Sequence, residues 1–472
     1  MVGACATASR EVWMPTFAPC RRARYGVVSR ARGMMIVRPY GRCTVKGPAL
    51  TSGFLTRSPC MHIIAIGDIG VTDQMMHIGD EAMFEALVDE MRARGATAIT
   101  GLSAAPRESA VRYGIDALPR IGFAPARAAG AERFAAVVRA IDAGGGLSAD
   151  DPFWAVRDAV ASATGVVIAG GGNMASTWPL HIFERAALAR IAAAAGVPLV
   201  VTGQTLGPEL TPPDRVVLGE ALRSARVVGL REEASGRLAA ELGVPGDRAR
   251  VTLDDASFLG WDDPSGDSAG GAGAAGYTLV SLSTHLGGRD RRAIVRGLAH
   301  LLDRHADETG QSTRFHAHWG SLRSGESRGD AILHDEVRAQ MRTPSDVVPT
   351  GDPRAAARLA RGASLLVSGR YHPVVFAAPA GVPVLALSAD DYTRVKLDGA
   401  LGRWGQHSVR DLDEIADAGT GAAGAGMDAA ADALRGIHSS AAQTRAAAAR
   451  LRPGARAAAA DWWERVAEAL AP

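Results

Sequence analysis

Cysteine is nearly absent from this chain of 472 residues. All four cysteines fall within the first 60 residues: Cys5, Cys20, Cys43 and Cys60. The rest of the chain therefore has no disulfide, no thiolate metal site and no cysteine nucleophile. Long apolar runs are also missing. The nearest, residues 186–201, is interrupted by Arg190 and falls short of the ~20 apolar residues of a membrane span. We therefore predict no membrane span.

A strong net charge is lacking as well, since the formal value is +2. The first 60 residues nevertheless carry ten basic side chains and one acidic one, which leaves 42 basic and 49 acidic side chains in the remainder. An acidic body argues against a nucleic-acid partner. Residues 1–60 are Arg-rich like a transit peptide, lack the apolar segment of a secretory signal, and show no core-forming pattern. We expect a disordered basic extension before a domain that starts at Met61, with a functional tail as the alternative.

The dinucleotide fingerprint GxGxxG is a third absence. Gly67 and Gly70 stand alone after the first predicted strand, His62–Ile66, so the sequence gives no NAD or FAD signature and predicts no cofactor. A helix is expected to follow, with Asp80 as its N-cap. Three apolar side chains would share one face of that helix: Met83, Leu87 and Met91.

Strands and helices alternate along the rest of the chain, which is typical of parallel α/β sheets. A Gly- and Ala-rich stretch, DPSGDSAGGAGAAG, interrupts this alternation and reads as a linker. The length also favours two domains. We therefore predict a basic extension at 1–60, an N-terminal Rossmann-like domain at 61–262, a linker at 263–276, a C-terminal Rossmann-like domain at 277–412, and an Ala/Gly-rich linker with C-terminal helices at 413–472.

An internal repeat supports two similar halves. The order strand, Gly-containing loop, helix, Ala-Gly-Val-Pro, strand occurs at 165–202 and recurs at 365–387. The fold class predicted from these patterns is α/β, with two Rossmann-like domains of parallel strands that face each other across a cleft.

Cationic side chains follow several predicted strands. Arg370 and His372 come after the apolar run 365–367, Lys396 comes shortly after the next strand, and Arg231 ends another. Open α/β sheets bind ligands at the carboxyl ends of their strands. Arginine forks and a lysine that converge there favour an anionic ligand, most simply a phosphate or a carboxylate.

A glycine run adds a candidate binding loop. Gly170 to Gly172 and Asn173 follow a buried strand, and bare backbone N–H groups there would let a ligand approach closely. We assign Gly171, Gly172 and Asn173 to substrate binding, although the same glycines could simply permit a tight turn.

Two further patterns have competing interpretations. Arg231 could form an ion pair with Glu232 or Glu233 instead of binding a ligand. His316 and His318 are two residues apart and would share one face of a strand, where they could bind a metal. Because no third ligand is evident nearby, we predict no metal site.

Several motifs together resemble the polysaccharide pyruvyl transferase family. In chain order they are GDEAM, IAGGGN, TGQTLGP, REEAS, LDDASFL, VSLSTH and SGRYHPVVFAAPAGVPVLALSADDYTRVK, spread over Met61 to Gly402. The resemblance implies a cytoplasmic enzyme of glycosyltransferase-B-like (GT-B-like) architecture. Such an enzyme moves the pyruvyl group of phosphoenolpyruvate onto a saccharide, free or lipid-linked, as a cyclic ketal.

The resemblance also implies roles for single residues. Arg231 and Arg370 would bind phosphoenolpyruvate, and Lys396 would supply a further charge. We assign Arg370 and His372 as catalytic, with His372 as the essential histidine. His372 could act as a general acid or, if nearby cations lower its pKa, as a neutral donor to phosphate.

Two other functions fit the same fold. One is a nucleotide-sugar glycosyltransferase, in which Asp390 or Asp391 would contact the ribose or the base. The other is a binding protein without catalytic activity.

Overall fold

The computed structural model describes residues 61–263, 276–416 and 424–471, together with strand residues 30–31 and 34–35. Most of the predicted extension at 1–60 and of the predicted linker at 263–276 lies outside the described residues. Apart from strands β1 and β2, everything described below lies in one compact unit, Pro59–Pro472.

The strands are mostly short. They are β1 (Arg30–Ala31), β2 (Met34–Met35), β3 (Met61–Ile66), β4 (Met75–His77), β5 (Ala96–Ser103), β6 (Asp116–Pro119), β7 (Gly165–Ile168), β8 (Gly171–Met174), β9 (Leu199–Leu206), β10 (Val227–Leu230), β11 (Ala249–Val251), β12 (Tyr277–Ser281), β13 (Ser312–His316), β14 (Trp319–Ser321), β15 (Ser345–Val348), β16 (Leu365–Ser368), β17 (Val384–Ser388) and β18 (Val409–Asp411).

The helices alternate with these strands. They are α1 (Ile78–Ala93), α2 (Pro106–Tyr113), α3 (Arg127–Ala143), α4 (Pro152–Ser162), α5 (Pro179–Ala194), α6 (Pro212–Ser224), α7 (Glu233–Glu241), α8 (Arg291–Thr309), α9 (Asp330–Gln340), α10 (Pro353–Arg361), α11 (Tyr371–Ala377), α12 (Asp391–Gly402), α13 (Leu412–Ala416), α14 (Gly424–Ser439) and α15 (Ala441–Leu470). A 3₁₀ turn, Ala378–Ala380, continues α11.

Two parallel sheets define an N-lobe and a C-lobe. The N-lobe order is β6-β5-β3-β7-β9-β10-β11, with β8 paired to the end of β9, and the C-lobe order is β15-β13-β12-β16-β17-β18. In both lobes the first strand in the chain lies beside the fourth, which is the doubly wound Rossmann order. The predicted α/β class with two facing Rossmann-like domains is confirmed. Strands β7, β9, β12, β16 and β17 are buried along their whole length because helices cover both faces of each sheet.

The start of α1 differs from the prediction. Met83, Leu87 and Met91 are fully buried on one face, as expected, but Asp80 is not the N-cap. The helix begins earlier, at Ile78, whose backbone N–H donates to the His318 carbonyl at 2.9 Å. That bond satisfies a helix N-terminal donor from across the cleft, so no capping carboxylate is needed there.

A small antiparallel ribbon joins the lobes. Strand β4 of the N-lobe pairs with β14 of the C-lobe, in the register His77 opposite Trp319. Below the ribbon, Leu322 N–H donates to the Gln74 carbonyl at 2.8 Å. The ribbon therefore links the N-lobe directly to the C-lobe.

Helix α15 packs against both lobes. Ala448 lies in a core cluster made mainly of C-lobe residues together with β4 and α1, whereas Trp462, Trp463 and Leu470 are buried against strands of the N-lobe. The C-terminal segment thus connects the two cores behind the cleft.

Candidate active site

A cavity of about 380 Å³ lies between the two lobes. Loops at the carboxyl ends of the central strands line it: Asp68 follows β3, Gly172 lies just beyond β7, Ser283 follows β12 and Arg370 follows β16. In each lobe these two strands flank the point where the strand order reverses, the usual ligand site of doubly wound sheets. Both lobes therefore direct their loops into one cavity.

Arg231 enters the cavity from the end of β10 and is almost completely buried. Its Nη1 donates to Asp254 Oδ2 at 2.7 Å and its Nε donates to Thr205 Oγ1 at 2.8 Å. The guanidinium carbon lies 4.3 Å from the ring centre of Tyr371. An ion pair does form, as the competing interpretation anticipated, but its close partner is Asp254. The Glu232 carboxylate is farther away, at 3.9 Å from Nε.

Arg370 enters from the C-lobe directly after β16. Its Nε donates to Asp330 Oδ2 at 2.8 Å, and its Nη2 bonds the other oxygen of the same carboxylate. Asp330 is fully buried and also accepts the Trp319 backbone N–H at 2.9 Å. This bidentate pair fixes the plane of the guanidinium.

His372 lies in the first turn of α11 and is buried. Its ring packs so closely on α1 that a Cβ on Gly79 would lie 1.8 Å from Nδ1, so only glycine fits at that position. Nε2 has no hydrogen-bond partner among the described residues and lies 3.8 Å from Asp254 Oδ2. Burial, reinforced by the charge of Arg231, holds the pKa of His372 well below its usual value, so the ring is neutral near pH 7.

Lys396 reaches the cavity from α12. Its Nζ lies 3.6 Å from the ring centre of Tyr392 and 5.9 Å from that of Tyr371. Burial, with smaller contributions from Arg231 and Arg370, lowers the pKa of Lys396 to about 7. Arg231, Arg370 and Lys396 form what we call the cationic wall.

The residues of the glycine loop lie in two different environments. Gly172 and Asn173 line the cavity, whereas Gly171 is not among the lining residues and faces Gln204. A Cβ on Gly172 would lie 2.6 Å from Arg231 Nη2 and 2.9 Å from the Tyr392 hydroxyl. The close approach of backbone to cationic wall therefore requires glycine at this position.

Four N-lobe residues form a second surface of the cavity, which we call the polar wall: Asp68, Asn173, Trp178 and His181. Sequence analysis singled out only Asn173 among them. Asp68 and His181 have no local signal that sets them apart, because their neighbours come from distant parts of the chain.

A His77–Asp80 pair was also missed. His77 Nδ1 lies 2.9 Å from Asp80 Oδ2, and both residues line the cavity. Burial opposes the charge of this imidazole, but Asp80 more than offsets it and raises the pKa of His77. The GDEAM motif contains Asp80, but the sequence alone gave it only a capping role.

The histidines of the C-lobe are arranged differently from the expectation. Strand β13 ends at His316, so His318 is not on the same strand face. The rings meet edge to face, with centres 5.2 Å apart, and both are buried. Across the described ranges no group of three or more His, Cys, Asp or Glu side chains could hold a metal ion.

At the cavity rim, His285 Nε2 lies 2.7 Å from Asp390 Oδ2. Asp390 caps α12, since its side chain accepts the Thr393 backbone N–H at 2.8 Å.

No helix in the described parts of the chain is long and apolar enough to cross a bilayer.

Solved structures share this fold at low sequence identity. UDP-GlcNAc 2-epimerase from Neisseria meningitidis, bound to UDP-GlcNAc, has a TM-score of 0.55 and 10% identity, covering 87% of this chain and 99% of its own. A putative UDP-N-acetylglucosamine 2-epimerase from Listeria monocytogenes has a TM-score of 0.51 and 12% identity, covering 83% and 94%. Anabaena Alr3699/HepE in complex with UDP scores 0.50 at 14% identity, covering 87% and 99%. These likenesses establish the GT-B-like fold.

No curated protein matches the chain by sequence. A family model, described as polysaccharide pyruvyl transferase, matches residues 77–391, which is more than half of the chain and includes every residue of both walls except Asp68 and Lys396. The match confirms the resemblance found in the motifs. The chain therefore belongs to the polysaccharide pyruvyl transferase family.

Proposed function

We propose that this enzyme uses phosphoenolpyruvate as donor and transfers its pyruvyl group to two hydroxyls of one sugar. The observation that carries the proposal is the convergence of the cationic wall and His372 on one cavity. Phosphoenolpyruvate joins a phosphate to a carboxylate and carries roughly three negative charges near neutrality. A compact trianion matches a site with three cationic side chains.

The arginines supply geometry as well as charge. Arg231 is fixed by Asp254 and Thr205, and Arg370 is fixed by Asp330, so neither has to be ordered when the donor binds. Planar forks grip carboxylate or phosphate with paired hydrogen bonds. Because the two forks come from different lobes, one would hold each end of the donor.

The reaction we propose has two steps. In the first, a sugar hydroxyl adds to C2 of phosphoenolpyruvate while C3 gains a proton and becomes a methyl group. In the second, a neighbouring hydroxyl of the same sugar replaces the phosphate at C2, so that the C–O bond to phosphate breaks and the ring closes. The proton of the second hydroxyl leaves with the phosphate.

Two residues divide the proton chemistry in this scheme. His372 is neutral near pH 7, so it serves as a hydrogen-bond donor from Nε2 to the phosphate. Lys396, whose pKa is about 7, is the better proton source for C3 near neutral pH. The proton released from the first hydroxyl would then return to its amine.

The test combines donor binding with turnover. We expect phosphoenolpyruvate to raise the melting temperature of the purified protein, and phosphate to be released when a hexoside acceptor panel is added. UDP-glucose serves as the comparison ligand. Stabilisation by UDP-glucose and not by phosphoenolpyruvate would favour the glycosyltransferase alternative and contradict our proposal.

Arg370→Lys sharpens the test because it keeps the charge and removes the fork. Loss of one charge-assisted bond should lower kcat/KM for phosphoenolpyruvate roughly 10- to 100-fold. His372→Ala should lower kcat roughly 100- to 1,000-fold, because it removes one hydrogen-bond donor to the phosphate. A protein that binds the donor but never releases phosphate, with or without His372, would be the non-catalytic alternative. The cytoplasmic location and a lipid-linked acceptor stay predictions.

A further inference from the structure

The donor-binding scheme proposed above does not use the polar wall. It is built only from the N-lobe: Asp68 follows β3, Asn173 lies in β8, and Trp178 and His181 stand at the start of α5. All four line the same cavity as the cationic wall. The cavity, at about 380 Å³, falls within the roughly 300–1,000 Å³ of small-molecule sites.

Asp68 is the one residue of this wall that carries a charge, and the guanidinium groups of Arg120 and Arg185 lie near it. Burial would raise the pKa of Asp68, but the guanidinium of Arg120 and its neighbours overcome that effect and hold the pKa well below its usual value. Arg120 bonds Asp68 Oδ1 and the Gly67 carbonyl, while Asn173 Nδ2 donates to Asp68 Oδ2 at 3.3 Å. Asp68 therefore faces the cavity as an ionised and oriented acceptor.

His181 contributes a donor without a charge. Arg185 Nη1 lies 2.9 Å from His181 Nδ1, and since arginine only donates, the ring proton must be on Nε2. Burial first, and then the charge of Arg185, lowers the pKa of His181 to about 3, so the ring stays neutral. The wall thus presents a carboxylate, an amide and an imidazole N–H, a set that suits several hydroxyls on one ligand.

Trp178 supplies an apolar surface beside these groups. Its ring centre lies 5.1 Å from that of Tyr392, with the planes at 61°. Aromatic rings with adjacent polar groups bind ligands that are partly apolar and partly hydrogen-bonding. A pyranose has this character, with C–H groups on its faces and hydroxyls at its edge.

The two walls meet at Gly172. This residue lies against Arg231 and the Tyr392 hydroxyl, and the next residue, Asn173, contacts Asp68. Tyr392 also contacts both walls, because Lys396 Nζ lies over the face of its ring and Trp178 packs against it edge to face. A ligand on the polar wall therefore lies next to a donor on the cationic wall, as ketal formation at one carbon requires.

We propose that the polar wall is the acceptor subsite and that ionised Asp68 makes it select an uncharged pyranoside over a uronate. The inference depends on the proposed transferase function and narrows its substrate class. A sugar hydroxyl can donate to Asp68, whereas a sugar carboxylate in its place would face a like charge at close range, which disfavours binding strongly.

Binding measurements with a matched pair of sugars test this selectivity. The probes are the methyl glycosides of glucuronate and glucuronamide, which match in shape, lack a 6-hydroxyl, and differ in charge and in the N–H donors of the amide. We expect the amide to bind the phosphoenolpyruvate-loaded wild type at least tenfold more tightly. Asp68→Asn should reduce that ratio to about twofold or less, because the like-charge repulsion is removed.

Trp178→Ala should weaken both probes equally, by roughly 3- to 10-fold, because it removes stacking and not charge. Asp158→Asn and Trp154→Ala, which alter N-lobe residues that do not line the cavity, are the matched controls. The thermal shift with phosphoenolpyruvate should persist in all four variants.

The outcomes separate the two proposals. If phosphoenolpyruvate does not stabilise the wild type, the transferase proposal fails together with this one. If it does, but the wild type binds neither sugar, or binds both equally, or Asp68→Asn leaves the ratio unchanged, only the acceptor subsite is overturned. Loss of the phosphoenolpyruvate shift in Asp68→Asn or Trp178→Ala would also overturn it, since the polar wall would then belong to the donor.

Discussion

Arg231 and Arg370 bring the same guanidinium to one cavity from opposite lobes, but their surroundings differ. The side chain of Arg231 is 2% exposed and contacts Asp254, Thr205 and Tyr371, all within the protein core. The side chain of Arg370 is 20% exposed, and its carboxylate partner is Asp330. Both arginines line the cavity, but the N-lobe arginine is also packed into the core, whereas the C-lobe arginine is more open to solvent.

A buried ion pair can therefore contribute to folding stability and to ligand binding in different proportions. Asp254 and Asp330 are both buried, so each would be an uncompensated charge if its arginine were removed. Water from the cavity can reach the place of Arg370 more easily than that of Arg231. The comparison therefore predicts unequal losses of stability and similar losses of donor binding.

The largest effect is expected for Arg231→Met. It leaves the Asp254 carboxylate buried without its cation and removes the contact with Tyr371, and should lower the free energy of unfolding by about 3–5 kcal/mol. Arg370→Met should lower it by only about 1–3 kcal/mol, because the place of Arg370 is open to the cavity and water can reach Asp330 there. Each carboxylate keeps one backbone N–H, Asp330 that of Trp319 and Asp254 that of Ala256. Urea denaturation without phosphoenolpyruvate measures both.

Arg190→Met is the control for these variants, since the exposed Arg190–Glu220 pair should contribute less than about 1 kcal/mol. Both active-site variants should lose the thermal shift with phosphoenolpyruvate. Equal losses of stability at the two sites would contradict the expected difference between the two arginines.

Much of this arrangement could be predicted from the sequence. Buried apolar runs identified the strands, and parallel strands place their carboxyl ends at one edge, so Arg231, Arg370, His372 and Lys396 could be expected to converge. The repeat ending in Ala-Gly-Val-Pro pointed to two similar lobes. These signals are local, which is why they can be read without coordinates.

The partners of those residues could not be predicted. Asp330 meets Arg370 from 40 positions away, and β4 pairs with β14 although each strand has only three residues. Strand β6 has only four residues, helix α2 is short and polar, and α15 is so rich in alanine that its two buried tryptophans give little pattern. Such contacts depend on how the lobes meet, which no local pattern records.

Lys396 extends the comparison to a third cation. Arg231 and Arg370 each pair with a carboxylate, whereas among the described residues no carboxylate lies within ion-pair distance of Lys396 Nζ. The pKa of Lys396 is about 7. An anionic donor binds the protonated amine, so the affinity for phosphoenolpyruvate should be higher near pH 7 than above it. It should fall as the pH rises above 7, by up to roughly tenfold per pH unit.

Isothermal titration between pH 6 and 9 checks this expectation. Lys396→Arg keeps its charge throughout and should give a flat profile above pH 7, whereas Lys396→Met should bind weakly at every pH. A wild-type profile that stays flat above pH 7 would contradict the assignment of Lys396 to the donor site.

The rim pair completes the series and should give the smallest effect. His285 and Asp390 have side chains 58% and 37% exposed, so the pair is screened by solvent. His285→Ala should lower the free energy of unfolding by less than about 1 kcal/mol and leave the KM for phosphoenolpyruvate within about twofold. Asp390→Ala should cost about 1 kcal/mol, because it also removes the N-cap of α12. The KM should rise too, since α12 positions Lys396, and the reverse order of the two variants would show that His285 itself binds substrate.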